Sequence, residues 1–481
     1  MDYALILAQY QRQHLAANYS RQRMLYEALR TAILSQQLLA ATRLPATRQL
    51  SAELGIARNS VIYAYEQLAS EGLVCADQRG TLVAPLSLSL PTSKAEIPQQ
   101  GLSQRGRAFK TPFIDPDTLA AFTPGVPSLA DFPHARWQRL IARSWRNIKP
   151  EQLAYGHAAG EPALREAIAG HLRAARGVVC DASQVFITDG TQNSLDLCAR
   201  LFADAGDLAW IENPGYTGAT NAFSTAQLLL RGIAVDQNGI NPSPKDWQNH
   251  PPRLIYVTPS HQYPLGSVLS LERRLMLIRQ AQAVGALIIE DDYDSEFRRD
   301  GPPLPAMQGL VPNSPVIYLG TFSKTLFPAL RTGFMLVPLQ FTQAVEAALA
   351  QCHPLGRQIE QIALAEFVRS GEFASHLRRM RKLYSERRDA MSEAITRHFG
   401  PLAPIYGGSS GMHLSIKLQP QYPDQIISQQ AFSERLIARP LSAYIISPAL
   451  PCNGYILGYA QVPSAEMDAN IAHLARLVKT Y

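Results

Sequence analysis

GTFSKTLFPALRTGF, residues 320–334, follows the apolar run PVIYL (315–319) and carries one lysine, Lys324, among Gly, Ser and Thr. Arg331 follows seven residues later, and the rest of the loop is apolar. Four similar runs precede it: QVFITDG (184–190), DLAWIENPGY (207–216), RLIYVTPS (253–260) and GALIIEDDY (285–293). Each is short and apolar, and its polar or glycine residues cluster at the C-terminal end. A mostly parallel sheet covered by helices gives this pattern. It sets TDG, ENPGY, TPSHQ, EDDYD and GTFSK along one edge, where open α/β sheets bind ligands.

The chain has 481 residues, which predicts two or three domains. Apolar residues make up 46% and charged residues 17%, the composition of a well-packed soluble protein and not of a disordered one. The formal net charge of +6 permits nucleic-acid binding at this length without arguing for it. Cys75, Cys180, Cys198, Cys352 and Cys452 are odd in number and scattered, so neither a disulfide framework nor a metal site is expected. With no signal-like N-terminus and no run of membrane-spanning length, the expected location is the cytoplasm.

Residues 1–84 read as one small unit and the Ser-, Pro- and Gln-rich stretch 85–119 as a linker. The α/β domain is expected over 120–481. From about residue 350, long basic helices lead into a smaller α+β portion.

Within the first unit, RQRMLYEALRTAILSQQ (21–37) repeats apolar residues at helical spacing. TRQLSAELG (47–55) predicts a short helix, capped by Thr47 and ended by Gly55. ARNSVIYAYEQLASEG (57–72) predicts another helix, and LVCADQRGTLVA (73–84) two strands and a turn. Two short helices and a tight turn make a helix-turn-helix pattern. Arg58, Asn59, Ser60 and Tyr63 on the second helix suit base edges and phosphates. Arg43 and Arg48 suit backbone phosphates, and Arg79 with Gly80 lies at the hairpin tip. Eight arginines against six carboxylates leave only +2, so the pattern carries the expectation and the charge does not. The competing reading is a protein-binding or dimerisation unit. LPATRQLSAELGIARNSVIYAYEQLASEGLV (44–74) with RGTLVA (79–84) resembles the winged helix-turn-helix of GntR-type bacterial repressors. The resemblance implies a helix at Arg58 in the major groove and a hairpin at Arg79 and Gly80 in the adjacent groove.

A lysine in an apolar, hydroxyl-lined pocket has a depressed pKa and is available as a nucleophile. An aldehyde cofactor would form an imine with it, and pyridoxal 5'-phosphate is the candidate. That cofactor needs an acid for its ring nitrogen. Asp291 and Tyr293, two apart, face one side of a strand. It needs a phosphate cradle: Gly190, Thr191 and Gln192 open a helix after a strand, and Thr321, Ser323 and Arg331 add donors. Tyr216 can stack on the ring, and His261 and Gln262 supply polar groups near it. Taken singly, each of these residues is more often a loop or strand-end residue; their coincidence on successive strand ends carries the reading.

Those pieces, with YGHAAGEPALREAIAGHLRAARGV (155–178), resemble fold-type I pyridoxal-phosphate enzymes, specifically the aminotransferase-like domain of MocR/GabR-type regulators. The resemblance implies that Lys324 forms the internal aldimine, Asp291 pairs with the pyridine nitrogen and Tyr293 contacts the phenolic oxygen. Tyr216 would stack on the ring and Arg331 bind phosphate. It also implies a swapped homodimer, with Tyr155 and Gly156 near the partner subunit's site. The expected fold is thus a winged helix-turn-helix plus an α/β aminotransferase-like domain with a smaller α+β subdomain. The expected partners are promoter DNA and a small effector, either pyridoxal phosphate or an amine or amino acid. When bound to DNA the protein would be nucleoid-associated.

A working transaminase grips a substrate carboxylate with arginine. Neither PALPCNGYILGYAQVP (448–463) nor NPGYTGAT (213–220) has one, which favours a sensor over a turnover catalyst. Arg357, or an arginine of the RRMRK run, is left as a substitute. The basic stretch HLRRMRKLYSERRD (376–389) reads as a solvated helix face, with contact to bent DNA as the rarer alternative.

Overall fold

The computed structural model describes residues 2–13, 19–85, 101–108, 119–299, 301, 304–352, 356–446 and 452–481. The chain divides into two compact units, residues 1–107 and 108–481. Most of the expected linker lies outside the described residues, as do 448–451 of the segment searched for an arginine. Within the linker stretch, Gln104–Ala108 forms a short helix.

In the first unit, α1 spans Tyr3–Gln13, α2 Arg21–Leu34, α3 Thr47–Leu54 and α4 Arg58–Ser70. α2 buries Leu25, Ala28, Leu29, Ala32 and Ile33, and α4 buries Val61, Ala64, Tyr65 and Leu68, so the apolar spacing sets both inner faces. Two local expectations are corrected. The cap of α3 is Ala46; Thr47 is its first helical residue, and its hydroxyl accepts from Arg58 Nε at 3.3 Å. Helix α1 was not anticipated; it adds Tyr3, Ile6 and Tyr10 to the same core. Gly55, at φ +62°, ends α3 as expected. Strands β1 (Val74–Asp77) and β2 (Gly80–Val83) pair antiparallel as a hairpin.

The second unit is built on an eight-stranded sheet. Its strands are β3 (Val185–Thr188), β4 (Leu208–Asn213), β5 (Leu229–Asp236), β6 (Gly239–Ile240), β7 (Leu254–Val257), β8 (Leu287–Asp292), β9 (Val316–Thr321) and β10 (Gly333–Leu336). They lie in the order β3-β10-β9-β8-β7-β4-β5-β6. β9, β8, β7, β4 and β5 are mutually parallel, and β10 runs antiparallel to both its neighbours. Alternate residues feed two cores. Ile211, Tyr256, Ile289 and Ile317 pack on one face, Trp210, Ile255, Ile288 and Val316 on the other. Both faces are covered, so the strands read as unbroken apolar runs.

This alternation sorts the acids that end β8. Asp291 shares its face with Ile289 and with Tyr256 of the neighbouring strand. Glu290 accepts from the Met307 and Gln308 amides, and Asp292 pairs with Arg176 at 2.8 Å. One carboxylate is left for the pocket.

A second, antiparallel sheet has the order β11 (Ile405–Gly407), β12 (His413–Lys417), β14 (Gly454–Gly458) and β13 (Arg439–Pro440). The long helix Glu372–Phe399 packs with the C-terminal helix Ser464–Lys479. Residues near 121 also belong here: Ile437 N donates to Ala121 O and Gly458 N to Phe122 O, both at 2.8 Å. The smaller portion therefore draws on chain from before the large sheet, which periodicity within 350–481 does not reveal. Among the described residues no helix is long and apolar enough to cross a membrane.

Candidate functional site

In the N-terminal unit, Arg43, Arg48, Arg58, Asn59, Arg79 and Gly80 are exposed, and Ser60 and Tyr63 are half-buried. Tyr65 of α4 ties down the segment that leads into α3: its hydroxyl donates to Pro45 O at 2.8 Å. Arg43 is less free than its sequence position suggests. Its guanidinium makes two 3.0 Å bonds to Asp77, which also accepts from Arg79 N at 2.7 Å. Asp77 thereby shapes the hairpin tip and presents Arg79 beyond it.

In the second unit, Lys324 is half-buried just beyond the end of β9. Burial, and after it the Arg439 cation, hold its ammonium below the ordinary lysine range. Gly125, at φ +73°, crosses directly over it: a Cβ there would stand 2.9 Å from Lys324 Nζ. The sequence reading did not find Gly125, because its partner is about 200 residues away in the chain.

Asp291 is buried, and burial pushes its carboxyl up to about 7 against the Tyr256 hydrogen bond. Tyr256 donates to Oδ2 at 2.7 Å, and Oδ1 is buried without a partner. A buried carboxylate oxygen with an unused lone pair is the acceptor that a pyridinium N–H requires. Tyr216, its hydroxyl raised to about 12 by burial, packs against Tyr256 and Tyr263 with ring centroids 6.5 and 5.7 Å away.

At the anion end, Gly190 (φ +95°) caps the helix Thr191–Phe202, whose first amides have no intrahelical acceptor. Arg331 lies over Gly190, within 3.7 Å of where a Cβ would be, and donates to Asp189 O at 2.9 Å. Ser323 N donates to Thr321 Oγ1 at 3.2 Å, which draws the strand end into the same turn. Arg357 braces this corner through Asp189 and the Leu330 and Arg331 carbonyls, so it is not the substitute carboxylate arginine. In the RRMRK run, Arg379 donates to Asp131 O and Arg381 to Glu296 O, and Arg378 is exposed.

Three expected cofactor contacts are spent within the protein. Gln262 donates to Pro214 O and Tyr263 O and accepts from Leu265 N, so it builds the loop instead of facing a ring. Gln192 gives its side-chain amide to Gly218 O at 3.0 Å and offers the cradle only its backbone. His261 pairs with Asp294 at 3.0 Å and lies 3.1 Å from the Tyr293 hydroxyl, which donates to His261 O. It reaches the pocket through Tyr293.

Arg439, on β13, was missed. It faces the Tyr263 and Tyr444 hydroxyls, themselves 3.1 Å apart, and its Nε is buried without a partner. Tyr263, which it faces, packs edge-on against Tyr216 with ring centroids 5.7 Å apart, and the Arg439 charge bears on both Lys324 and Tyr216, so Arg439 lies beside their pocket. It lies in IARPLSAY (437–444), upstream of 448–463. The residues fit pyridoxal 5'-phosphate: a desolvated amine, an orphaned buried acceptor and a helix N-terminus with arginine converge.

Residues 129–474 match the aminotransferase class I and II family, and residues 21–83 the bacterial regulatory proteins of the gntR family. The chain is 40% identical to the probable rhizopine catabolism regulatory protein MocR of Rhizobium meliloti, over 95% of this chain and 94% of that one. It is 32% identical to the pyridoxine biosynthesis transcriptional regulator PdxR of Corynebacterium glutamicum, over 90% and 91%. Among solved structures, the α-aminoadipate aminotransferase LysN of Thermus thermophilus, complexed with N-(5'-phosphopyridoxyl)-L-leucine, superposes with a TM-score of 0.68. That match has 26% identity and covers 75% of this chain and 92% of that one. A kynurenine aminotransferase of Pyrococcus horikoshii shares the fold at a TM-score of 0.72 and 24% identity, over 79% and 97%. With both matches in one chain and MocR along nearly its whole length, the protein belongs to the MocR-type regulators, in which a GntR helix-turn-helix precedes an aminotransferase class I and II domain.

Proposed function

We propose that the protein is a transcription regulator that binds promoter DNA through residues 1–84 and reads a small molecule at Lys324. The observation that carries this is the joining of a GntR-type unit to a pocket that holds Lys324, Asp291 and Arg439 together. Bound pyridoxal phosphate supplies an electrophilic carbon to a primary amine. Asp291 would hold the proton at the ring nitrogen, Tyr293 would position the ring oxygen, and Gly190, Thr191, Ser323 and Arg331 would fix the phosphate.

Arg439 defines the effector class. A guanidinium with an unpartnered Nε, beside two tyrosine hydroxyls, takes a carboxylate in a bidentate fork. The effector is therefore an amino acid, or an amine that carries a carboxylate. Arg439 also removes the argument against turnover drawn from 448–463, and this observation favours a second reading, residual transamination. For signalling, the effector must bind one arrangement of the dimer better than another. Tyr155, 96% exposed, suits the expected role next to a partner's site in a swapped homodimer.

The test is DNA binding to the protein's own upstream region, with and without pyridoxal phosphate and candidate amino acids, read beside the cofactor absorbance. Sequence-specific binding that an amino acid shifts supports the proposal. Binding indifferent to every cofactor and effector state, with rapid amine transfer, establishes the enzyme reading instead.

A further inference from the structure

The basic stretch of the helix Glu372–Phe399 does not simply face solvent. Arg381, Lys382 and Arg388 form one wall of a cavity of about 300 Å³. Arg298, from the loop that follows β8, forms another, and the glycine-rich turn 407–411 closes it. The cations are under-paired. Arg298 Nε and Nη1 and Arg388 Nε are buried without hydrogen-bond partners. Among the described residues, Arg298, Arg381 and Lys382 have no carboxylate partner, and Asp389 serves Arg299 and Arg388. Ser410 also lines the cavity; it is 2% exposed, and its hydroxyl has no partner. Gly408, at φ +91°, lets the turn approach Arg388: a Cβ there would stand 3.1 Å from Arg388 Nε.

Unpartnered buried guanidinium groups cost free energy unless a ligand satisfies them. We infer that this cavity is a second binding site, separate from the Lys324 pocket, for a small phosphorylated metabolite. Four cations converging from two segments suit a dianion, and forked guanidinium donors with a serine hydroxyl from the 407–411 turn suit phosphate oxygens. Phe297, Tyr384 and Tyr459 provide an apolar floor for an organic body of about one ring. The phosphates of a rigid duplex do not descend to a hydroxyl as buried as Ser410. The turn is shared with the cofactor site. A Cβ at Gly411 would fall 2.1 Å from His261 Nδ1 and 2.3 Å from Asp294 Oδ2. The anion site itself does not depend on the regulatory reading.

The experiment is calorimetric titration of phenyl phosphate into the full-length, cofactor-loaded protein, freed of excess cofactor by gel filtration. One equivalent binds, and Arg298→Gln and the exposed Lys382→Gln each weaken it about tenfold or more, with the visible cofactor absorbance unchanged. No binding overturns the proposal, as does binding that both variants retain. A third overturning result is that the variants lose affinity for upstream DNA while phenyl phosphate binds as before, which assigns these cations to DNA.

Discussion

The Tyr256 hydroxyl donates to Asp291 Oδ2 at 2.7 Å, and the other oxygen of that carboxylate is buried without a partner. One lone-pair set is fixed by the neighbouring strand and one is held open toward the pocket. Asp291→Asn keeps the size but removes the charge proposed to hold the ring nitrogen protonated. The expected result is cofactor affinity lower by about tenfold to a hundredfold, measured by fluorescence titration of cofactor-free protein, with secondary structure unchanged.

The same carboxyl sets a pH dependence in the cofactor-free protein. Burial raises Asp291 to about 7, and Glu212 also to about 7. The folded state therefore holds these protons more tightly than the unfolded chain, whose carboxyls titrate near ~4. Their contribution to stability is complete below that value and is lost as pH rises toward 7, by up to about 1.4 kcal/mol per pH unit for each carboxyl. The thermal midpoint of cofactor-free protein should fall between about pH 5 and pH 7, and Asp291→Asn should flatten that slope. A midpoint constant over this range contradicts the assignment.

Lys324 should be the only covalent attachment point. Lys324→Ala should abolish the internal-aldimine absorbance, while cofactor held noncovalently at Gly190 and Arg331 keeps the spectrum of the free aldehyde. An unchanged spectrum rules the lysine out.

Arg439→Gln should separate effectors by charge. Loss of one partner of a buried charge pair costs about 2–5 kcal/mol, so amino-acid effectors should weaken by about thirtyfold or more, while simple amines change little. Arg439→Lys should restore only part of the response, because an ammonium lacks the fork. Equal loss for amines and amino acids would mean that Arg439 shapes the pocket without gripping a carboxylate.

Much of this was legible from local pattern. The strand runs ending at Gly190, Asn213, Asp292 and Thr321 open on one edge of the sheet because successive α/β units place their C-terminal ends there. Lys324, Asp291, Tyr216 and the Gly190 turn follow from that topology. Gly125 and Arg439 do not, since they arrive from the segment near residue 121 and from β13; the first meets the chain leading into the second through an isolated bridge, Ala121 to Leu436, beside the small sheet. Gln262 was misread because TPSHQ looks alike whether its amide faces a ring or ties the loop; only the Pro214 and Tyr263 carbonyls decide it. Helix α1 was missed because α2 and α3, not its own sequence, bury its face.

Arg176 tests how far the pocket depends on its support. It pairs with Asp292 at 2.8 Å and donates to Ser260 at 2.7 Å, and Tyr318 donates to the same carboxylate at 2.5 Å. Arg176→Met leaves Asp292 buried and uncompensated, so unfolding free energy should drop by about 3–5 kcal/mol in urea titration. Asp292→Asn in the same background should recover part of the loss, because it removes the stranded charge. Without that recovery, the loss belongs to packing and not to the ion pair.

The N-terminal unit yields the last prediction. Arg58, Asn59 and Ser60 begin α4, while Arg79 sits on a hairpin tip that Asp77 holds in shape. If α4 reads bases and the tip meets phosphates, their variants should fail differently. Arg58→Ala should weaken specific DNA and relax its sequence preference, at about 1–3 kcal/mol. Arg79→Ala should weaken all sequences alike and lower the salt slope by about 1. Asp77→Asn should imitate Arg79→Ala in part, since it loosens the tip while freeing Arg43 from its two 3.0 Å bonds. Deleting residues 1–84 should abolish DNA binding and leave the cofactor spectrum intact. Gel-shift titrations at two salt concentrations separate these outcomes. Binding retained by the truncated chain would move DNA recognition out of the N-terminal unit.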